Sequence, residues 1–144
     1  METKLTNITQ LFLRLAIALS FLSAVADRFG YWGAAGSAGV SWGNWDNFVS
    51  YSNTLNFYLS PALGKIVAII ATALEIVFAL FLLIGFKTKL IAIASGIMLI
   101  IFAVTMTISI GFKAPLDYSV WTSAAACLLL STIKVYKYSI DHMR

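Results

Sequence analysis

Apolar residues along this chain gather into four runs, at 8–26, 62–86, 90–111 and 115–136, and polar positions fall mostly in the gaps between them. Each run can form a helix of about 20 residues, the length that crosses a hydrocarbon core roughly 30 Å thick. The third run, Leu90 to Phe112, carries no charge, whereas the others contain Arg14, Glu75 and Asp117. A charge costs about 2.5–3.5 kcal/mol at the centre of a span, so these positions need partners or a purpose. The pattern predicts an all-α integral membrane four-helix bundle, a single transmembrane domain over residues 1–144.

One face of the second run carries Ala68, Thr72, Glu75 and Ala79, and one face of the third carries Ala92, Gly96 and Ala103. Lipid supplies no hydrophobic drive between helices, so small side chains of this kind mark where backbones approach closely. Phe86-Lys87-Thr88-Lys89 follows Gly85 directly and predicts a tight turn between two antiparallel helices.

The long connection, 27–61, is an aromatic, Gly-rich loop unlike the rest of the chain. Gly30, Gly33, Gly36 and Gly39 punctuate its first part, and nine of the 20 aromatic residues lie between Phe29 and Tyr58. Trp42, Trp45, Val49 and Tyr51 follow a loose helical spacing with Asn44, Asp46 and Asn47 opposite. This predicts a short amphipathic helix in the membrane interface, either as an aromatic anchor at headgroup level or as a lid over the bundle.

Composition narrows the class. Apolar residues make up 60% of the chain, charged residues 11%, and the mean hydropathy is +0.89. That is too little charge for a soluble surface and too much apolar content for disorder. The net charge of +4 is spread over several loops and forms no nucleic-acid stripe. It carries topology instead. Lys4, Lys87, Lys89, Lys134, Lys137 and Arg144 fall on one side, against Arg28, Lys65 and Lys113 on the other. Six against three places both termini in the cytoplasm. Ala24-Val25-Ala26 after an apolar core imitates a signal-peptide cleavage site. We read a retained helix, because extension back to Ile8 gives it full membrane length.

Little conventional chemistry can be built from these residues. The single Cys127 and single His142 exclude a disulfide, a dithiol and bis-His haem ligation within one chain, and no metal-ligand cluster is expected. Cys127 among three alanines, Met98 and Met106 all read as packing. Two constellations remain. Arg14 and Glu75 fall at matched depth on antiparallel spans, either as a clamp on helix register or as a polar centre that handles a headgroup, a carbonyl or a proton. Asp27, Arg28, Lys113 and Asp117 map to the same end as Trp42, Trp45 and Asp46, forming an outer pocket with aromatic walls. A local Lys113–Asp117 pair, with Pro115 and Asp117 opening a helix, is the plainer account of the latter two.

Arg14-Leu15-Ala16 opens an apolar helix that closes on Asp27-Arg28-Phe29-Gly30, and this resembles the first span of the DoxX family. Glu75 followed by Leu80-Phe-Leu-Leu-Ile-Gly85-Phe-Lys-Thr-Lys89 resembles the family's second span and turn, with Lys89 standing in an Arg position. The likeness covers spans one to three well and span four more weakly. It implies a bacterial inner-membrane bundle serving as the membrane subunit or anchor of a redox system. Some DoxD-like members are subunits of a thiosulfate:quinone oxidoreductase, and others are linked to membrane thiol and oxidative-stress complexes. On that resemblance a quinone, not covalently bound, would approach Arg14 and Glu75. A redox partner protein, the bilayer and a second copy of the chain are the implied partners. A non-catalytic factor for binding or assembling other membrane proteins is the alternative. A small-solute transporter is a weaker one, since no broken-helix signal or inverted repeat is visible.

Overall fold

Three of the four apolar runs fold as single long helices. In the computed structural model, which describes residues 4–143, these are α1 (Lys4–Arg28), α3 (Pro61–Ile84) and α4 (Thr88–Ile110). All three are long and apolar enough to cross a membrane. The expected amphipathic segment is α2 (Trp45–Leu55), and the last third of the chain forms α5 (Lys113–Asp117), α6 (Val120–Ser131) and α7 (Ile140–Met143). No strand occurs among the described residues.

Local chemistry sets the boundaries. Ser60 caps α3, its hydroxyl accepting from the Leu63 amide, and Pro61 occupies the first helical turn. Gly85 ends α3 at φ +67°, a left-handed conformation in which its amide donates back to the Phe81 carbonyl. On α2, Asn44 supplies the cap by accepting from the Asn47 amide at 2.8 Å.

The small-residue faces do the packing. Ala68, Thr72, Glu75 and Ala79 of α3 are buried, as are Ala92, Gly96 and Ala103 of α4. At Gly96 the backbone comes so near α6 that an added Cβ would lie 2.9 Å from Leu128. Ile66, Ile69, Ile70 and Leu74 of α3, with Ile97, Ile101, Val104 and Ile108 of α4, point outward. An apolar exterior of this kind suits lipid.

The fourth run departs from the single helix expected over 115–136. Ser119 adopts φ +55° and separates α5 from α6, and α6 stops at Ser131. Side chains there take over the last-turn carbonyls. Ser131 Oγ donates to Leu128 O, Thr132 Oγ1 to Leu129 O and Tyr136 Oη to Leu130 O. At 12 residues α6 is about 18 Å long, too short to cross alone. The irregular segment after it returns to the α3–α4 turn, where Asp141 meets the amides of Lys87 and Thr88. Both ends of the described chain therefore lie at the turn end of the bundle, opposite the loop end that carries 29–60.

Candidate functional site

Arg28 is the last residue of α1, and on a helix the side chains lean back toward the N-terminus. Its guanidinium accordingly enters the bundle and meets α3. Nη2 donates to Glu75 Oε1 at 3.0 Å, Nη1 donates to Glu75 Oε2, and Nη1 also donates to Thr72 Oγ1 at 2.7 Å. The pairing is bidentate, the arrangement that matches a planar guanidinium to a carboxylate. Arg28 is 4% exposed and Glu75 3%. Thr72 and Glu75 lie about 17 and 21 Å along α3 from Pro61, so the pair sits near the middle of this roughly 36 Å helix. Thr72 completes the arrangement by donating its own hydroxyl to Ala68 O at 2.9 Å.

Aromatic rings roof the pair. The Phe48 ring lies 4.0 Å from the Arg28 guanidinium carbon and the Trp42 ring 5.4 Å from it. Trp42 and Phe48 contact each other edge to face, at 5.1 Å between centroids. A cation out of water gains from such faces, by about 2 kcal/mol or more when desolvated. The roof reaches the pair because α2 leans over the end of α1. Its other end is fastened at the loop end, where the Leu55 carbonyl accepts from Ser109 Oγ and Asn53 packs on Gly64.

Asp27, one residue earlier, holds the loop. Its carboxylate accepts from the amides of Ser41 at 2.7 Å, Trp42 at 3.1 Å and Gly43 at 2.9 Å. Gly43 permits the tight fold, with φ +69° and a backbone so close that a Cβ would lie 2.3 Å from Ala35 N. Phe29 and Trp45, which begin and end the clamped loop, stack at 5.6 Å and 8°. Beside that stack a groove of about 360 Å³ opens along α3, lined by Phe29, Trp45, Ile69, Thr72, Ala73 and Ile76. Thr72, whose hydroxyl receives Arg28, is part of its wall. Arg28 Nε is buried behind it with no hydrogen-bond partner among the described residues.

The structure corrects two expected juxtapositions. Arg14 and Glu75 do not meet. Arg14 is fully buried at the turn end and donates to carbonyls alone: Leu82 at 3.0 Å, Leu83 at 3.1 Å, Tyr138 at 3.2 Å and Lys137 at 3.4 Å. It closes the C-terminal turn of α3 and pins the tail, and Gln10 Nε2 adds a bond to Lys137 O at 2.7 Å. Lys113 and Asp117 do not join Asp27 and Arg28 either. They pair with each other across one turn of α5, both exposed. Asp46 is exposed in the first turn of α2, where it complements the helix dipole. Asp27, Arg28, Trp42 and Trp45 are the residues of the expected outer pocket that do come together, with Glu75 joined to them.

Phe48, Phe29 and Asp141 were not among the expected site residues. The helical spacing of the loop could have found Phe48, which falls on the apolar stripe of α2 between Trp45 and Tyr51. Asp141 lies beyond every apolar run, and only the returning tail brings it to the turn. Among the described residues no group of three or more His, Cys, Asp or Glu is placed to hold a metal ion.

Comparison with known protein families matches the chain to the DoxX family model over residues 9–108, well over half of its length. No curated protein and no solved structure matches it.

Proposed function

The chain belongs to the DoxX family of membrane proteins, and from that premise we propose that it is the membrane-embedded subunit or anchor of a redox system to which a lipophilic quinone comes. The observation that carries this reading is the groove between Phe29, Trp45 and Thr72, with the buried Arg28–Glu75 pair behind Thr72. A quinone is a flat ring with carbonyl oxygens and an apolar tail. The stacked pair offers a wall for the ring, and the isoleucine side of the groove lies along lipid. Arg28 Nε is a buried donor without a partner, which is what a ring carbonyl would satisfy. Glu75 keeps the guanidinium neutralised and aimed, and Asp27 holds the loop so that Phe29 and Trp45 stay together.

We further place the protein in the bacterial inner membrane with both termini in the cytoplasm. The excess of lysines at Lys4, Lys87, Lys89, Lys134 and Lys137 supports that orientation.

Trp45 makes the groove testable. Titration of a short-chain benzoquinone into the chain in nanodiscs should quench tryptophan fluorescence saturably. Trp45→Phe should remove most of the saturable part. Thr72→Val, which keeps volume but removes the hydroxyl that receives and aims the Arg28 guanidinium, should weaken binding about fivefold to tenfold, the scale of one net hydrogen bond. Linear, non-saturable quenching identical in all three proteins would sink the proposal.

A further inference from the structure

A second cavity, of about 540 Å³, lies between the last turns of α1 and the loop that folds back beside them. Ser20, Ser23, Asp27, Trp32, Ser41 and Trp42 supply its polar and aromatic lining. Ser20 and Ser23 stand exposed on a face of α1 where the neighbouring Leu19 is 57% exposed to the surroundings of a membrane span. Ser20 Oγ donates to Ala16 O at 2.8 Å, whereas the Ser23 hydroxyl on this lipid-facing surface is costly unless something polar meets it. Trp32 turns back along α1 to form the wall, its indole N–H donating to the Ser23 carbonyl at 3.0 Å.

The chemistry of the lining selects the guest. It contains one carboxylate, two indole rings and three hydroxyls, and no cationic side chain. Arg28 next door is already neutralised by Glu75, so Asp27, Arg28 and Glu75 together leave a net negative charge. The Asp27 carboxylate spends three acceptor positions on loop amides and is 6% exposed, while a carboxylate offers about four. The side chains of Ser23 and Ser41 make no hydrogen bond among the described residues. Such a lining accepts hydrogen bonds and offers π faces, which is how a small ammonium group is held. A phosphate would find no cation to meet it.

We infer that this cavity binds the ammonium headgroup of a membrane lipid such as phosphatidylethanolamine. The ammonium sits against Asp27 and the serine hydroxyls, between Trp32 and Trp42. The acyl chains run from the mouth over Leu19, Leu15 and Phe12, an exposed apolar stripe at i, i+4 and i+7 counted back along α1. This site uses a different cavity from the quinone groove and stands whether or not that proposal holds.

The test is native mass spectrometry of the chain released from vesicles of phosphatidylethanolamine, phosphatidylglycerol and phosphatidylcholine in equal parts. We expect retained phosphatidylethanolamine to exceed each of the others about tenfold, the scale of one charge-assisted hydrogen bond. Ser20→Leu fills the cavity from a lipid-facing position and leaves the Asp27 clamp untouched. It should abolish that preference at unchanged helicity and melting temperature. Equal retention of the three lipids, or full retention by Ser20→Leu, would overturn the assignment. A final arm adds ethanolammonium chloride in millimolar excess. Retention of the lipid supports the membrane source, and its displacement by the soluble amine would overturn it.

Discussion

A buried guanidinium with no carboxylate in hydrogen-bonding contact must find carbonyls, and Arg14 finds four. Gly85 makes room for it. A Cβ there would lie 2.5 Å from Arg14 Nη2 and 2.2 Å from Ser139 Cβ, and φ is +67°. Gly85→Ala should therefore destabilise by more than the ~1 kcal/mol that left-handed backbone alone costs, measurable as a lower unfolding midpoint in detergent. Arg28 has the opposite arrangement, since its charge is balanced by one carboxylate. Glu75→Gln keeps the shape but leaves a buried cation alone, and should cost about 3–5 kcal/mol. An unfolding midpoint unchanged by Glu75→Gln would mean that the pair does not hold the bundle. The need of both Arg14 and Glu75 for partners was legible in the chain, because charge in an apolar run is costly wherever it falls. Which partner each finds was not. Helical rise gives depth along a span, but not azimuth or how far an arginine reaches. Arg28 reads as an end residue and yet extends back to the middle of α3.

At the scale of elements, α4 shows how the last segment of the chain serves an earlier helix. Lys87, at the N-terminus of α4, offers no side-chain cap. Asp141 supplies one instead, accepting from the amides of Lys87 and Thr88 at 2.7 Å each, while its own amide donates to Gly85 O. Burial works to raise the Asp141 carboxyl, and the amides of Thr88 and Lys87 together with the Arg14 guanidinium outweigh it, holding the group below the usual carboxylate range. The sign follows. A carboxylate lowered in the folded state contributes its stability above its unfolded value of about 4, and loses it as pH falls through the lower folded value. Stability should thus be flat near neutrality and decline below about pH 4. Asp141→Asn should remove part of that decline and lower neutral stability by about 0.5–2 kcal/mol, the range for a lost cap. An identical acid profile in both proteins would show that another carboxylate governs it. The three long helices were legible from run length, and their small-residue faces from spacing. The fourth run hid its breaks, because Ser119, Ser131 and Thr132 read as tolerable inside an apolar helix. Here their hydroxyls or left-handed backbone end the helix, and α1 donors satisfy the carbonyls that follow.

Across the whole molecule the two ends differ in kind. The turn end gathers Lys87 and Lys89, the start of α1 and the returning tail, bound together by Arg14, Gln10 and Asp141. The loop end carries Tyr31, Trp32, Phe57 and Tyr58, all well exposed, with the Gly-rich loop clamped by one carboxylate. The three long helices run between these ends, and the orientation proposed above, with the lysine-rich turn end in the cytoplasm, can be tested directly. Cys127 is fully buried, which makes the native chain a silent background for thiol labelling. Single cysteines at Ser37 in the loop and Lys89 at the turn, both exposed, then report each end separately. With a membrane-impermeant maleimide on intact spheroplasts, Ser37→Cys should label at once. Lys89→Cys should label only after permeabilisation. The reverse pattern would invert the orientation and keep the fold. Labelling of both from one side would mean that α3, the long helix between the two positions, does not cross the bilayer. The tail is tied to the same turn end: were it displaced, Arg14 would lose the carbonyls of Lys137 and Tyr138, and α4 would lose the Asp141 cap.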